Sequence, residues 1–164
     1  MDTERVEVDP DSLRRLVRAL RAEADGKALV RDLVEELRAV AQPALEATKA
    51  SILSMDSQAE VIPGLRAAVA RATSISVHTT GRGAGVAIRA SKAGMPRGFR
   101  NAPRWLNRPG WRHPLFGDRD RWYSQVGKPD WFDGAIRPFV PATNRAAAEA
   151  LNRVAKRIDH TTRG

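Results

Sequence analysis

The apolar positions in the first third of the chain recur at helical spacing. Asp9-Pro10-Asp11-Ser12 has the form of a helix start: a capping carboxylate, a proline in the first turn and a further acid near the positive end of the helix dipole. Leu13, Leu16, Val17 and Leu20 follow on one face, and Gly26 can end that helix. A second stripe, Leu29, Leu33, Leu37, Val40, Leu45, Thr48 and Ile52, predicts a helix reaching Met55. It would be about 28 residues and roughly 40 Å long at 1.5 Å per residue. Pro43 lies inside it and should kink or divide it, because proline removes a backbone donor and crowds the preceding turn. Residues 57–64 read as a loop around Pro63-Gly64, and Leu65, Ala68, Val69 and Ala72 as a short helix.

The period then drops to two. In Thr73–Thr79, apolar Ile75 and Val77 alternate with polar neighbours, as in a half-buried strand. Gly81-Arg82-Gly83-Ala84-Gly85 is a turn with an arginine at its tip, and Val86 and Ile88 make the returning strand. Residues 92–114, punctuated by Gly94, Pro96, Gly98, Pro103 and Pro109, read as a long irregular loop. Leu115-Phe116 and Trp122–Val126 read as two further short strands, separated by Gly117-Asp118-Arg119-Asp120. Trp122, Trp131, Phe132 and Phe139 are expected in the core under a last helix that Pro141 opens, with Ala147, Leu151, Val154 and Ile158 on one face. The resulting expectation is one α+β domain over residues 1–164. It has a helical part at 9–56, a sheet part at 65–139 with its long basic loop at 92–114, a C-terminal helix at 141–159 and a frayed tail at 160–164. The helices pack on a small, mainly antiparallel four-stranded sheet.

Composition narrows the class. The chain has 164 residues, a net charge of +9 and no cysteine. Disulfides, thiolate catalysis and cysteine-ligated metals are thereby excluded. No apolar run is long enough to span a bilayer, and the acidic start Met1-Asp2-Thr3-Glu4 lacks the apolar stretch of a signal peptide, so a soluble, cytoplasmically made protein with no membrane partner is expected. The net charge conceals an asymmetry. Residues 1–60 hold nine Lys/Arg and thirteen Asp/Glu, while residues 61–164 hold nineteen and six. Between Val61 and Gly117 there are ten basic residues and no acid, and all nine aromatic residues lie between Phe99 and Phe139. Such a bipolar chain attracts polyanions or the acidic part of another copy of itself.

Chemical motifs are sparse. His78, His113 and His160 are isolated, without a second ligand at helical or strand spacing. Gly81-x-Gly83-x-Gly85 precedes strand-like sequence, whereas a dinucleotide loop must open a helix, so it reads as a hairpin turn. Asp118 and Asp120 read as solvated turn acids between Arg119 and Arg121, and Ser51, Ser54 and Ser57 have no local base. No catalytic residue, metal or cofactor is expected. What stands out is the interleaving of Arg97, Phe99, Arg100, Arg104, Trp105, Arg108, Trp111 and Arg112. Cations for phosphates and rings for bases suit a single-stranded nucleic acid; a basic loop of this kind can equally mate with an acidic protein surface.

Several segments from Leu65 onward share an order. Leu65-Arg66-Ala67-Ala68-Val69-Ala70 leads to the first hairpin, then Ala84-Gly85-Val86-Ala87-Ile88-Arg89 and Met95-Pro96. Trp111-Arg112-His113-Pro114-Leu115-Phe116-Gly117 follows, then Trp122-Tyr123-x-Gln125 and Trp131-Phe132. From Leu65 to Phe139, about two-thirds of the chain, this order resembles the tail-component or neck family of long-tailed bacteriophages and prophages. The chain departs from the pattern at Ile62-Pro63-Gly64, where many members carry Thr or Ser before the glycine. The resemblance implies a small α/β structural protein of the virion's head–tail junction, made in the host cytoplasm. It implies a closed ring of six or twelve copies, adjacent head-closure or adaptor and tail-tube proteins, and no catalysis. It does not choose between head closure, neck proper and tail terminator. Closed rings use head-to-tail interfaces between unlike patches, and the acidic helices and the basic segment are unlike patches. The candidate interface residues are therefore Arg82, Arg97, Arg100, Arg104, Trp105, Arg108, Trp111, Arg112 and His113. Pro114, Phe116, Gly117, Trp122 and Gln125 belong to the family motif with structural roles. Contact with DNA in the lumen would be independent of sequence. The alternative is a basic nucleic-acid-binding module, which steep salt dependence would reveal.

Overall fold

In the computed structural model, residues 5–6, 9–55, 64–82, 84–115 and 117–162 are described. The elements are β1 (Arg5–Val6), α1 (Pro10–Ala22), α2 (Gly26–Leu53), α3 (Leu65–Ala72), β2 (Thr73–His78), β3 (Gly85–Ala90), α4 (Ala102–Leu106), β4 (Gly110–Leu115), β5 (Asp118–Val126), α5 (Asp133–Ile136), a 3-10 turn at Arg137–Phe139 and α6 (Val140–Thr162). The fold is α+β. Its strands form two sheets, a three-stranded one in the order β1-β3-β2 and the two-stranded β4-β5 ladder, where the sequence predicts a single sheet of four. The chain also divides into two compact units, each assembled from separated segments: a helical unit (3–43, 75–88 and 138–164) and a hairpin unit (1–2, 44–74 and 89–137).

The helical unit follows its sequence pattern closely. Asp9 caps α1: its carboxylate accepts from the backbone N–H of Asp11 at 3.2 Å and of Ser12 at 3.0 Å, with Pro10 in the first turn. The Ser12 hydroxyl donates to the same carboxylate, and this bond, followed by the Ser12 and Asp11 N–H groups, holds the Asp9 carboxyl below its ordinary 3.8. Leu13, Val17 and Leu20 are buried with Leu33, Leu37 and Ala41 of α2, Ala84 and Val86 at the start of β3, and Ala147 and Val154 of α6. Between α1 and α2 the chain turns so closely that a Cβ on Gly26 would sit 2.6 Å from the Leu20 carbonyl oxygen, which leaves glycine as the residue that fits. Strand β3 is central in its sheet, and Val86, Ala87 and Ile88 are buried in succession rather than alternately. Helix α2 runs unbroken through Pro43, so the expected division does not occur; the boundary between the units falls at that residue. α6 continues past Asp159 to Thr162, where a frayed tail is predicted.

The hairpin unit departs further from the pattern. Its buried side chains include Leu45, Thr48 and Ile52 of α2, Leu65 and Val69 of α3, Ala102 and Leu106 of α4, and Trp131, Phe132 and Ile136. Two buried threonines close onto helix carbonyls: Thr48 Oγ1 donates to the Ala44 carbonyl of α2 at 2.7 Å, and Thr73 Oγ1, at the start of β2, to the Val69 carbonyl of α3 at 2.8 Å. The C-terminal end of α2 is capped by Lys128, whose ammonium lies 3.3 Å from both the carbonyl and the hydroxyl of Ser51 and 3.4 Å from Ser54 Oγ. The stretch 92–114 is not an irregular loop: it contains α4 and most of β4. Trp131 and Phe132 are buried as expected, but in this unit, whereas α6 belongs to the other. Trp122, expected in the core, is 52% exposed, and Phe139 is half-buried. The loop predicted at 57–64 lies, apart from Gly64, outside the described residues, as does Phe116 of the family motif.

Candidate functional site

The residues singled out by the Arg–aromatic interleaving are assembled by α4 and the β4–β5 hairpin. A strap after β5 docks on the end of α4. Gly127 N–H donates to the Pro109 carbonyl at 3.0 Å and Lys128 N–H to Leu106 at 2.8 Å. The approach is so close that a Cβ on Gly127 would fall 2.1 Å from the Arg108 carbonyl oxygen.

The hairpin register separates the two faces. Trp111 pairs with Gln125 and His113 with Tyr123, while Arg112 pairs with Ser124 and Pro114 with Trp122. Directly opposed residues share a face. Trp111, His113, Tyr123 and Gln125 therefore lie on one side, and Arg112, Pro114, Trp122 and Ser124 on the other. The next pair after Pro114 joins Leu115 to Asp118, which leaves residues 119–121 unopposed. Trp122 Nε1 closes that excursion by donating to the Arg119 carbonyl at 2.8 Å. Asp118 accepts from the Asp120 N–H at 2.9 Å and faces Arg121 at 3.9 Å, so its carboxylate braces the turn.

The first face is covered by rings. Trp111 stacks at a tilt on Trp105 (5.9 Å between centroids) and Trp105 meets Phe99 edge-on at 6.5 Å. Phe99 meets His113 edge-on at 5.3 Å, and His113 lies 6.2 Å from Tyr123. His113 Nδ1 donates to the Pro114 carbonyl at 3.1 Å, while His113 Nε2 and Trp111 Nε1 are buried with no hydrogen-bond partner among the described residues. Gln125, on the same face, is buried. On the second face Arg112 sits 5.7 Å over the exposed Trp122 ring, and Val126 beside it is 57% exposed. The Trp-Arg-His triplet is thus split, with rings facing inward and the guanidinium outward.

Arg97, Arg100, Arg104, Arg108 and Arg112 are all exposed, and among the described residues none of them is ion-paired. Arg82, at the tip of the first hairpin, is exposed but belongs to the helical unit, so the structure does not group it with the others. There Arg14 reaches the Gly81 carbonyl at 3.4 Å. The acidic helices are partly neutralised within their own unit: Glu36 of α2 lies between Arg153 at 3.6 Å and Arg157 at 3.8 Å. Segment-by-segment charge counting does not detect this, because α6 returns from the far end of the chain.

His78 pairs locally with Ser76 Oγ at 2.8 Å. Among the described residues no three His, Asp or Glu side chains come together as a metal site would require, and no helix is long and apolar enough to cross a membrane. No protein-family model, no curated protein and no solved structure matches the chain.

Proposed function

We propose that this chain is a structural subunit of the head–tail junction of a long-tailed phage, a neck or tail-completion protein that closes into a ring and joins a DNA-filled head to a tail. Its place is the virion, its neighbours are head-closure or adaptor and tail-tube proteins, and its work is mechanical. The resemblance in the Trp111–Gly117 and Trp122–Gln125 segments suggests the family. The observation that carries the interface is the surface of unpaired arginines around a mutually stacked aromatic cluster.

That arrangement favours a protein partner over a nucleic acid. Base stacking requires free ring faces. Here Phe99, Trp105, Trp111, His113 and Tyr123 are engaged with one another, and the exposed Trp122 face carries Arg112. The rings stiffen the hairpin and α4, and the guanidiniums are left to meet carboxylates, a bidentate geometry that arginine is built for. Trp and Arg are also the residues that dominate interface energetics. DNA in the lumen would be a secondary, sequence-independent contact.

Reversing charge at Arg97, Arg100 and Arg104 tests the reading. The triple change to Glu is expected to leave the circular dichroism and melting temperature close to those of the parent, because all three side chains are exposed, and to abolish assembly with the adjacent ring or with itself. Undiminished assembly by the correctly folded variant would overturn the proposed interface.

A further inference from the structure

The β4–β5 ribbon has two outer edges, and they are built differently. The bond from the Gly127 N–H to the Pro109 carbonyl continues the ladder by one pair and fixes which pairs exchange backbone hydrogen bonds. Bonded and non-bonded pairs alternate along an antiparallel ladder. Trp111–Gln125 and His113–Tyr123 are therefore bonded pairs, and the Gln125 carbonyl oxygen, 2.7 Å from where a Gly110 Cβ would lie, points at β4 as this requires. The intervening residues turn their backbone groups away from the ribbon. On β4 these are Gly110, Arg112 and Pro114, and on β5 they are Trp122, Ser124 and Val126.

The β4 edge is blunted, because Pro114 has no N–H to offer and Arg112 places a charge there. The β5 edge carries neither device. Trp122–Val126 contains no proline and no charged residue, and Trp122, Ser124 and Val126 are all exposed. Among the described residues no strand other than β4 pairs with β5. An uncharged edge with exposed apolar side chains does not attract a polyanion; it is a template for another strand.

The strand that matches it best is its own copy. When two β5 strands run antiparallel about a two-fold axis at Ser124, Trp122 of each copy opposes Val126 of the other, and the two serines meet at the centre. An aromatic ring against a β-branched side chain and a pair of hydroxyls are favourable cross-strand combinations. A slip of two residues sets Val126 against Asp120 in one direction and Trp122 against Lys128 in the other, so the match belongs to this register.

We infer that β5 pairs with β5 of a second copy in this register, making a four-stranded antiparallel sheet in the order β4-β5-β5-β4. The contact is two-fold, so it is separate from the head-to-tail contact that closes a ring, and it does not rest on the head–tail reading. It joins free chains into dimers, or two rings face to face. So short a pairing buries less than a standard interface, and the dimer of free chains dissociates in dilute solution.

The chain has no cysteine, so disulfide trapping in the whole protein is the test. Cα atoms opposed in a bonded pair lie about 5.5 Å apart, within disulfide reach. With oxidised glutathione and protein at about 100 µM, Ser124→Cys is expected to form disulfide-linked dimers at least about tenfold faster than Arg119→Cys. Arg119 is also exposed on β5 but lies away from the axis, where its two copies are roughly 30 Å apart. Adding Val126→Lys to Ser124→Cys should slow linking by about tenfold. The circular dichroism and melting temperature should stay close to the parent's, since Val126 is exposed. The inference is overturned if the folded Ser124→Cys protein links no faster than Arg119→Cys, or if Val126→Lys leaves its rate unchanged.

Discussion

Single residues set the local geometry here through caps and close approaches. Asp9 does so electrostatically. Its carboxyl is held below 3.8, chiefly by the Ser12 hydroxyl and then by backbone N–H groups. A depressed folded-state value means that the ionised form is the stabilising one. The contribution is complete above the unfolded value and disappears as pH falls through the lowered folded value. Asp9→Ala should therefore lower the melting temperature at neutral pH, and the difference from the parent should shrink well below pH 3.8. Melting curves across that range check the sign. Gly127 acts sterically. With a Cβ only 2.1 Å from the Arg108 carbonyl oxygen, Gly127→Ala must move the strap away from α4 and should cost about 3 kcal/mol in denaturant titration. The Asp9 cap is legible in sequence, because Asp-Pro-Asp-Ser carries its own mechanism. The Gly127 requirement is not, since it arises from a carbonyl nineteen residues earlier in the chain, brought there by the fold.

At the scale of elements, periodicity works where a helix has one buried stripe and fails where tertiary pairing imposes the structure. α1 and α2 show their faces directly: Leu13, Val17, Leu20, Leu33 and Leu37 are all buried. β4 has no strand signature, containing Gly110 and Pro114, and becomes a strand because β5 pairs with it. The same pairing explains the misplaced tryptophan. Trp122 and Tyr123 are adjacent in β5 and must face opposite sides; sequence alone does not say which side is covered. The structure turns Tyr123 toward His113 and leaves Trp122 outward. Two substitutions distinguish these environments. Trp131→Ala should cost about 3–5 kcal/mol, as expected for a fully buried ring. Trp122→Ala should cost under about 1 kcal/mol, the scale of an exposed cation–π contact. Equal losses would place both rings in a core.

For the whole molecule, charge is the most legible property and also the one the structure qualifies most. The acid-free run from Val61 to Gly117 supplies Arg97, Arg100, Arg104, Arg108 and Arg112, the exposed arginines around the aromatic cluster that make no ion pair among the described residues. The acidic front is less exposed to partners than counting suggests, because Arg153 and Arg157 occupy Glu36. If unlike patches join neighbouring copies, exposed acids outside that cluster, such as Asp25 and Glu35, are the complementary charges. An interface of this kind has an aromatic-stiffened, partly apolar base as well as charge, so added salt should weaken it without dissolving it. The most direct measurement is the light-scattering mass of the purified protein at low and at high salt, with electron microscopy of the same peak. Closed rings of six or twelve times the 18.0 kDa chain, persisting at high salt, are predicted. A monomer at both salt concentrations that binds DNA with a steep salt dependence would contradict the ring and leave the nucleic-acid module in its place.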